Sequence, residues 1–283
     1  MMKGSNFIVI GAAKCGTTTL CDQLSGHPDI FVSSPKEPKF FSLDENYEQG
    51  YESYFKFFEN AGSAKARGEG SVNYTLRDHH PETAARIHAF NPEMKLIYVV
   101  RHPIERLISH WRMTRLSDIT QKDLPGSVND PNLNKALVHG SRYQYQLDAY
   151  LEYFDESQIK VVFLEDMASD PCKVLKECFD YLGVDANWEV ERPNRVSNKT
   201  NSSGLRSSLA LAIKRMPGMS VIKKMVPRKV IIFCKDELGL WPASPVAEVD
   251  VEYRDQLTRE LKSETLDFLK KHGKADSYWQ GFE

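Results

Sequence analysis

The chain has 283 residues, 41% of them hydrophobic and 27% charged, with a formal net charge of −2. That length and mix describe a globular protein with room for one large domain or two small ones. The near-neutral charge argues against a dedicated nucleic-acid binder, and no apolar run reaches the roughly 20 residues of a membrane-spanning helix. The five cysteines, Cys15, Cys21, Cys172, Cys178 and Cys234, are odd in number and irregular in spacing. They fit neither a disulfide framework nor a C-x-x-C metal site, and read as free thiols of a reducing cytosol. The start, Met1 to Asn6, runs almost directly into an apolar segment, so no signal peptide is expected and a cytoplasmic protein is.

Phe7–Ile10 is a short apolar run rich in β-branched residues, the signature of a buried strand. Gly11 ends it; Gly16, Thr17, Thr18 and Thr19 follow, and Leu20 to Leu24 reads as the first turns of a helix. A strand, a glycine-bracketed loop and a helix N-terminus make an anion site, because backbone N–H groups converge there and the helix dipole adds positive potential. The separation of Gly11 and Gly16 matches the P-loop pattern G-x-x-x-x-G-K-[ST]. Thr17 stands where that pattern has its Lys, and the cation is Lys14, inside the loop. A nucleotide kinase needs that Lys on the β/γ-phosphates and a hydroxyl on Mg²⁺. The displaced cation therefore predicts a cradle for a different phosphate, without the usual metal. Cys15 lies in the same loop and is a candidate oxidation-sensitive thiol.

After a stop at Gly26-His27-Pro28, Ile30–Val32 is a short strand. In Ser34-Pro35-Lys36-Glu37-Pro38-Lys39-Phe40-Phe41, two prolines hold the segment extended and fix Glu37 just before two aromatics. From spacing alone an ordinary surface glutamate fits as well. Tyr51, Tyr54, Phe55 and Phe58 fall at helical spacing and predict a buried helix face. Arg67 to Tyr74 reads as a short edge strand or loop, and Pro81 opens a helix through Phe90. Lys95–Val100 is the second strong strand. It ends at Arg101, and Pro103 suits the first position of a helix that carries Ser109. Ligands of open α/β sheets bind beyond the carboxyl ends of strands, where an Arg can grip phosphate in a bidentate contact. Pairing of Arg101 with a local carboxylate is the competing expectation. Residues 113–140 read as a long irregular surface insertion. Tyr143–Phe154 is helical, Ile159–Leu164 is a third strand followed by Glu165-Asp166, and Val174–Leu182 is a helix stopped by Gly183. No acidic residue occurs from Arg195 to Lys235, and part of that stretch is a basic amphipathic helix, suited to an anionic membrane surface, an anionic polymer or a phosphorylated ligand. A last helix spans Val249–His272, with Trp279 close behind. The expected fold is α/β: a P-loop-like central parallel β-sheet flanked by helices, in a single domain over residues 1–283.

Three stretches together, GAAKCGTTTL, KEPKFF and VVRHPIERLISHW, resemble the signatures of sulfotransferases that use 3′-phosphoadenosine-5′-phosphosulfate (PAPS). The resemblance is strongest to the bacterial and heparan-sulfate-type carbohydrate branch and continues to Trp279. It implies that Lys14 and the backbone of Cys15, Gly16, Thr17, Thr18 and Thr19 hold the 5′-phosphosulfate, and that Arg101 and Ser109 hold the 3′-phosphate. It implies Glu37 as the base that takes a proton from an acceptor hydroxyl or amine, and Lys14 as the cation that neutralises the bridging oxygen as adenosine 3′,5′-bisphosphate (PAP) leaves. Tyr143, Arg142 and Lys199 are further candidates, Lys199 on a loop like the one that closes over the donor in this family. No metal is implied. The acceptor-side segments are residues 44–60, 113–140 and 195–235, and the acceptor class stays open among carbohydrate, lipid and small metabolite. The segment Glu69-Gly70-Ser71-Val72-Asn73-Tyr74 departs from the E-K-S-P-x-Y of many relatives: Gly70 and Val72 replace the Lys and Pro, so any role of that Lys falls to another cation. Lys39 likewise replaces a common His. Two rival readings remain: a P-loop kinase or hydrolase with Leu164-Glu165-Asp166 as its metal-binding acid, and a non-enzymatic binder of anionic polymer or membrane through residues 195–235.

Overall fold

Apolar strands flanked by amphipathic segments must stack into a buried parallel sheet, and the computed structural model of the chain shows one. It describes residues 4–190 and 248–283, which, Glu248 aside, form one compact unit. Five parallel strands, β1 (Phe7–Gly11), β2 (Ile30–Val32), β3 (Ala66–Glu69), β4 (Lys95–Val100) and β5 (Ile159–Phe163), lie in the order β2-β3-β1-β4-β5. β1 is buried along its whole length and β4 at every residue except Lys95. Both therefore read in sequence as unbroken apolar runs rather than alternating ones. The edge strands β2 and β5 are only partly buried.

The strand order reverses at β1. From β1 the chain goes to the edge strand β2 and returns inward to β3, then crosses to β4 and β5 on the other side. Loops leaving β1 and β4 thus diverge around a crevice at their carboxyl ends, the place where such sheets bind ligands. Helix α1 (Thr17–Leu24) follows β1; α2 (Asp44–Tyr47), α3 (Tyr51–Phe55) and α4 (Thr83–Phe90) come before β4, and α5 (Pro103–Leu116) follows it with Pro103 in its first turn, as expected.

Three expectations need correction. Arg67–Tyr74 contains the internal strand β3, not an edge, and its polar sequence is accommodated locally. Arg67 lays its guanidinium on the Gly4 and Ala64 carbonyls, at 3.1 and 2.8 Å, while Glu69 is buried among hydroxyls. The predicted buried face of Tyr51, Tyr54, Phe55 and Phe58 holds only in part: Tyr51–Phe55 is helical and runs into a 3₁₀ turn Lys56–Ala61, but Tyr51 is exposed and Phe55 half-buried. Tyr54 and Phe58 are nevertheless buried as predicted. Residues 113–140 are largely helical. Helix α5 runs on to Leu116, and Leu124–Val128 and Pro131–Leu137 are short helices capped by the Asp123 and Asp130 side chains. Leu124, Ser127, Leu137 and Val138 are buried, so this segment is part of the core rather than a surface insertion.

The last helix, Val251–Lys271, packs on α5 and on Tyr143–Leu151. Beyond it Trp279 is buried, with its ring parallel to that of Phe268. Lys199, Cys234 and the basic stretch 195–235 lie outside the described residues.

Candidate active site

The loop between β1 and α1 is shaped by its two glycines. Gly11 (φ 151°) passes so close to Thr75 that a Cβ would stand 2.0 Å from the Thr75 hydroxyl oxygen. Gly16 caps α1 in the left-handed region at φ 89°, where a Cβ would meet Leu164 at 2.7 Å. Between them Lys14 also adopts a left-handed conformation, φ 74°. Its ammonium is half-buried, and its charged neighbours are two cations, Arg101 and Arg106. Burial first, and those two guanidinium groups second, hold its pKa below the ordinary lysine value. A positive cluster at a helix N-terminus, pressed against the ends of two parallel strands, is a site for an anion.

Arg101 leaves β4 and reaches back to the loop, its Nη1 donating to the Lys14 carbonyl at 3.4 Å. The competing expectation of a local carboxylate is met in part: Glu105 Oε2 lies 3.8 Å from Arg101 Nη2, while its Oε1 is held by Arg254 at 2.6 Å. Ser109 is half-buried on α5. Tyr143 is buried and its hydroxyl is committed to protein: it donates to the Arg101 carbonyl at 2.6 Å and lies 3.8 Å from Cys15 Sγ. The contact available from Tyr143 is thus with Arg101 and the loop behind the anion site. Arg142 pairs with Glu264 at 2.7 Å. Cys15 is fully buried, and burial pushes its thiol up to about 11. Thiolate being the form that is oxidised, Cys15 is an inert structural thiol rather than the oxidation-sensitive one expected.

Opposite the loop, the segment Pro35–Phe41 is pinned along its backbone. Gly70 N–H donates to the Lys36 carbonyl at 2.9 Å, Lys39 N–H to the Ser71 hydroxyl at 2.9 Å, and Phe41 N–H to the Tyr74 hydroxyl at 3.3 Å. This fixes the backbone on either side of the half-buried Glu37, and Lys36 Nζ lies 3.1 Å from its Oε1. The same Nζ donates to Thr17 Oγ1 at 3.3 Å. One ammonium therefore joins the carboxylate expected as a base to the first residue of α1.

The chain's match to the family model of the sulfotransferase domain covers residues 5–226. The chain belongs to the sulfotransferase family. It is 30% identical over 182 residues to human heparan sulfate glucosamine 3-O-sulfotransferase 6, covering 62% of this chain and 52% of that protein. It is also 30% identical over 201 residues to mouse bifunctional heparan sulfate N-deacetylase/N-sulfotransferase 4, covering 64% and 22% respectively. The chain thus spans about half the length, or less, of these curated relatives. A solved sulfotransferase from Alicyclobacillus acidocaldarius superposes with a TM-score of 0.60 at 27% identity, covering 75% of this chain and 92% of that one.

Two supports of the sulfotransferase site carried no role in the sequence reading. Arg106 is fully buried and ties the loop to the segment before Tyr143: Nε donates to the Ala13 carbonyl at 3.1 Å, Nη1 to the Ala136 and Leu137 carbonyls at 2.6 and 3.0 Å, and Nη2 to His110 Nδ1 at 2.8 Å. His110 accepts there because burial, then the charge of Arg106, keeps it neutral. The available signal was the i,i+4 pairing of Arg106 and His110 on an otherwise apolar helix. Glu69 is the second. Its carboxylate accepts from Ser71 at 2.5 Å, Tyr74 at 2.6 Å and Tyr54 at 3.2 Å, so the same hydroxyls that hold the Glu37 segment are anchored on it. Of the two acids offered to the kinase reading by Leu164-Glu165-Asp166, Asp166 is engaged by Lys274 at 2.6 Å and Tyr278 at 2.7 Å, and Glu165 accepts from the His102 N–H at 2.9 Å.

Proposed function

We propose that this chain transfers a sulfuryl group from PAPS to a hydroxyl or amine of a carbohydrate-like acceptor. The observation that carries this reading is the arrangement across the crevice. A cationic loop and helix N-terminus face a rigidly held carboxylate, and Lys36 links the two at 3.3 and 3.1 Å. Family membership and the likeness to heparan sulfate sulfotransferases support the donor and the acceptor class.

On this reading Lys14 and the backbone N–H groups at the start of α1 bind the 5′-phosphosulfate, and Arg101 with Ser109 binds the 3′-phosphate. Glu37 removes the acceptor proton as the new S–O or S–N bond forms. The bond from sulfur to the bridging oxygen breaks, its electron pair stays on the departing 5′-phosphate, and Lys14 stabilises that charge. Tyr143 and Arg106 act behind these groups by fixing Arg101 and the loop.

Two measurements test the proposal. PAP alone, in the presence of a chelator, is expected to raise the melting temperature, whereas stabilisation only by Mg-ATP would support the kinase reading instead. Incubation with sulfur-labelled PAPS and fractionated acceptor pools is expected to label a glycan fraction. Label in no pool, from protein that binds PAP, would defeat the proposal.

A further inference from the structure

The reacting groups of a transfer site need a cation on the group in flight as well as on the leaving oxygen, and Lys36 stands between donor loop and base. Its backbone is immobilised between two prolines and by the Gly70 N–H at 2.9 Å. Its stem lies over Gly70: a Cβ at residue 70 would stand 3.6 Å from Lys36 Cδ and 3.5 Å from its Nζ. The ammonium thus fills the space that a side chain at residue 70 would enter. A Cβ at residue 70 would also stand 2.7 Å from Cys21 Sγ, so a side chain there and the present packing of α1 compete for the same volume.

We propose that Lys36 is a catalytic residue of this sulfotransferase, the cation that holds the sulfuryl oxygens as the group passes from the α1 loop to the nucleophile at Glu37. The assignment rests on the sulfotransferase reading above. Any group moving from Thr17 toward Glu37 passes the ammonium that touches both. The step balances without further reagents. The sulfur–bridging-oxygen bond breaks with its pair retained by the phosphate, the acceptor–sulfur bond forms, and the acceptor proton goes to Glu37. Lys36 remains protonated throughout. When Glu37 takes the proton it loses the charge that pairs with Lys36, and the ammonium is released to the sulfuryl oxygens at the moment they need it.

The test compares nucleotides with and without the sulfuryl group. Calorimetric titration of PAP and of PAPS into the unmodified protein, Lys36→Met and Lys36→Arg is combined with release of labelled sulfate from PAPS, water serving as acceptor. Lys36→Met is expected to bind PAP within about twofold of the unmodified protein, and PAPS roughly 10- to 100-fold more weakly, the loss of one charge-assisted contact. Sulfate release should fall about 10²- to 10³-fold, with partial retention in Lys36→Arg. Unchanged PAPS binding and turnover would overturn the assignment. So would equal losses for PAP and PAPS, which would put Lys36 on the phosphate or on loop folding. An upward shift in the acid limb of the rate–pH profile, with the PAPS-to-PAP affinity ratio unchanged, would overturn it too, since Lys36 would then act only by keeping Glu37 ionised. If the unmodified protein binds neither nucleotide, the sulfotransferase reading itself fails and Lys36 with it.

Discussion

Glu37 lies on the proline-bracketed segment before Phe40 and Lys14 on the loop before α1, and their removal should separate into two phenotypes. Glu37→Gln keeps the shape of the segment and removes the proposed base, so sulfuryl transfer is expected to fall roughly 10²- to 10⁴-fold while PAP affinity is kept. Lys14→Ala should weaken PAP binding itself; equal PAP affinities in the two variants would contradict the division of labour. Glu69 makes a different prediction. Burial, opposed by its three hydroxyl donors, pushes its pKa up to about 7 from 4.5. The folded state therefore holds a proton that the unfolded state has released. Stability is fully present below about pH 4.5 and is lost as pH rises through about 7, by an amount on the order of 3 kcal/mol. Urea midpoints measured from pH 4.5 to 8 should fall across that window for the native chain and stay flatter for Glu69→Gln. The Tyr54 hydroxyl, 2.8 Å from Ser5 Oγ, has a second partner to turn to when Glu69 is protonated.

At the level of elements, legibility tracked how local the cause of each structure is. Lys95–Val100, Ile30–Val32 and the Pro103 helix start follow from β-branched runs and one proline, and all three are found as read. Lys14 and Arg101 stood out for the same reason, one in a glycine-bracketed loop and one at a strand end, whereas Glu37 drew its role only from the family resemblance. β3 was hidden because its neighbours, not its own side chains, satisfy Arg67 and Glu69. Lys36, too, acquires meaning only from Gly70 and Thr17, which are remote in sequence. Arg106 is the extreme case, its partners being carbonyls from the loop and from the segment before Tyr143. Arg106→Lys keeps the charge but cannot span those acceptors. Leaving several buried carbonyls unpaired should cost about 2–4 kcal/mol, read as a lower urea midpoint together with weakened PAP binding. A variant as stable as the native chain would show the fork to be dispensable.

Across the molecule, the segment after the last helix closes the side of the sheet where Arg101 and His102 emerge. Trp279 is buried against Phe268 and Phe163, and the His102 ring Nε2 donates to the Gln280 carbonyl at 2.9 Å. Trp279→Ala should cost about 3–5 kcal/mol through the cavity it leaves. Because His102 adjoins Arg101, it should also loosen PAP binding, measured by calorimetry at a temperature where the variant remains folded.

The trio Lys14, Arg101 and Arg106 has one further consequence, for handling the protein. Among the described residues no carboxylate pairs with Lys14 or Arg106, and Glu105 is shared, 3.8 Å from Arg101 and 2.6 Å from Arg254. Like charges held this close repel, and a small oxyanion relieves them. Sulfate or phosphate in the purification buffer should therefore raise heat resistance above that in chloride at matched ionic strength, and should compete with the nucleotide for the same seat. Assays run in such buffers would then understate the affinity for PAP, and chloride is the medium in which it should be measured.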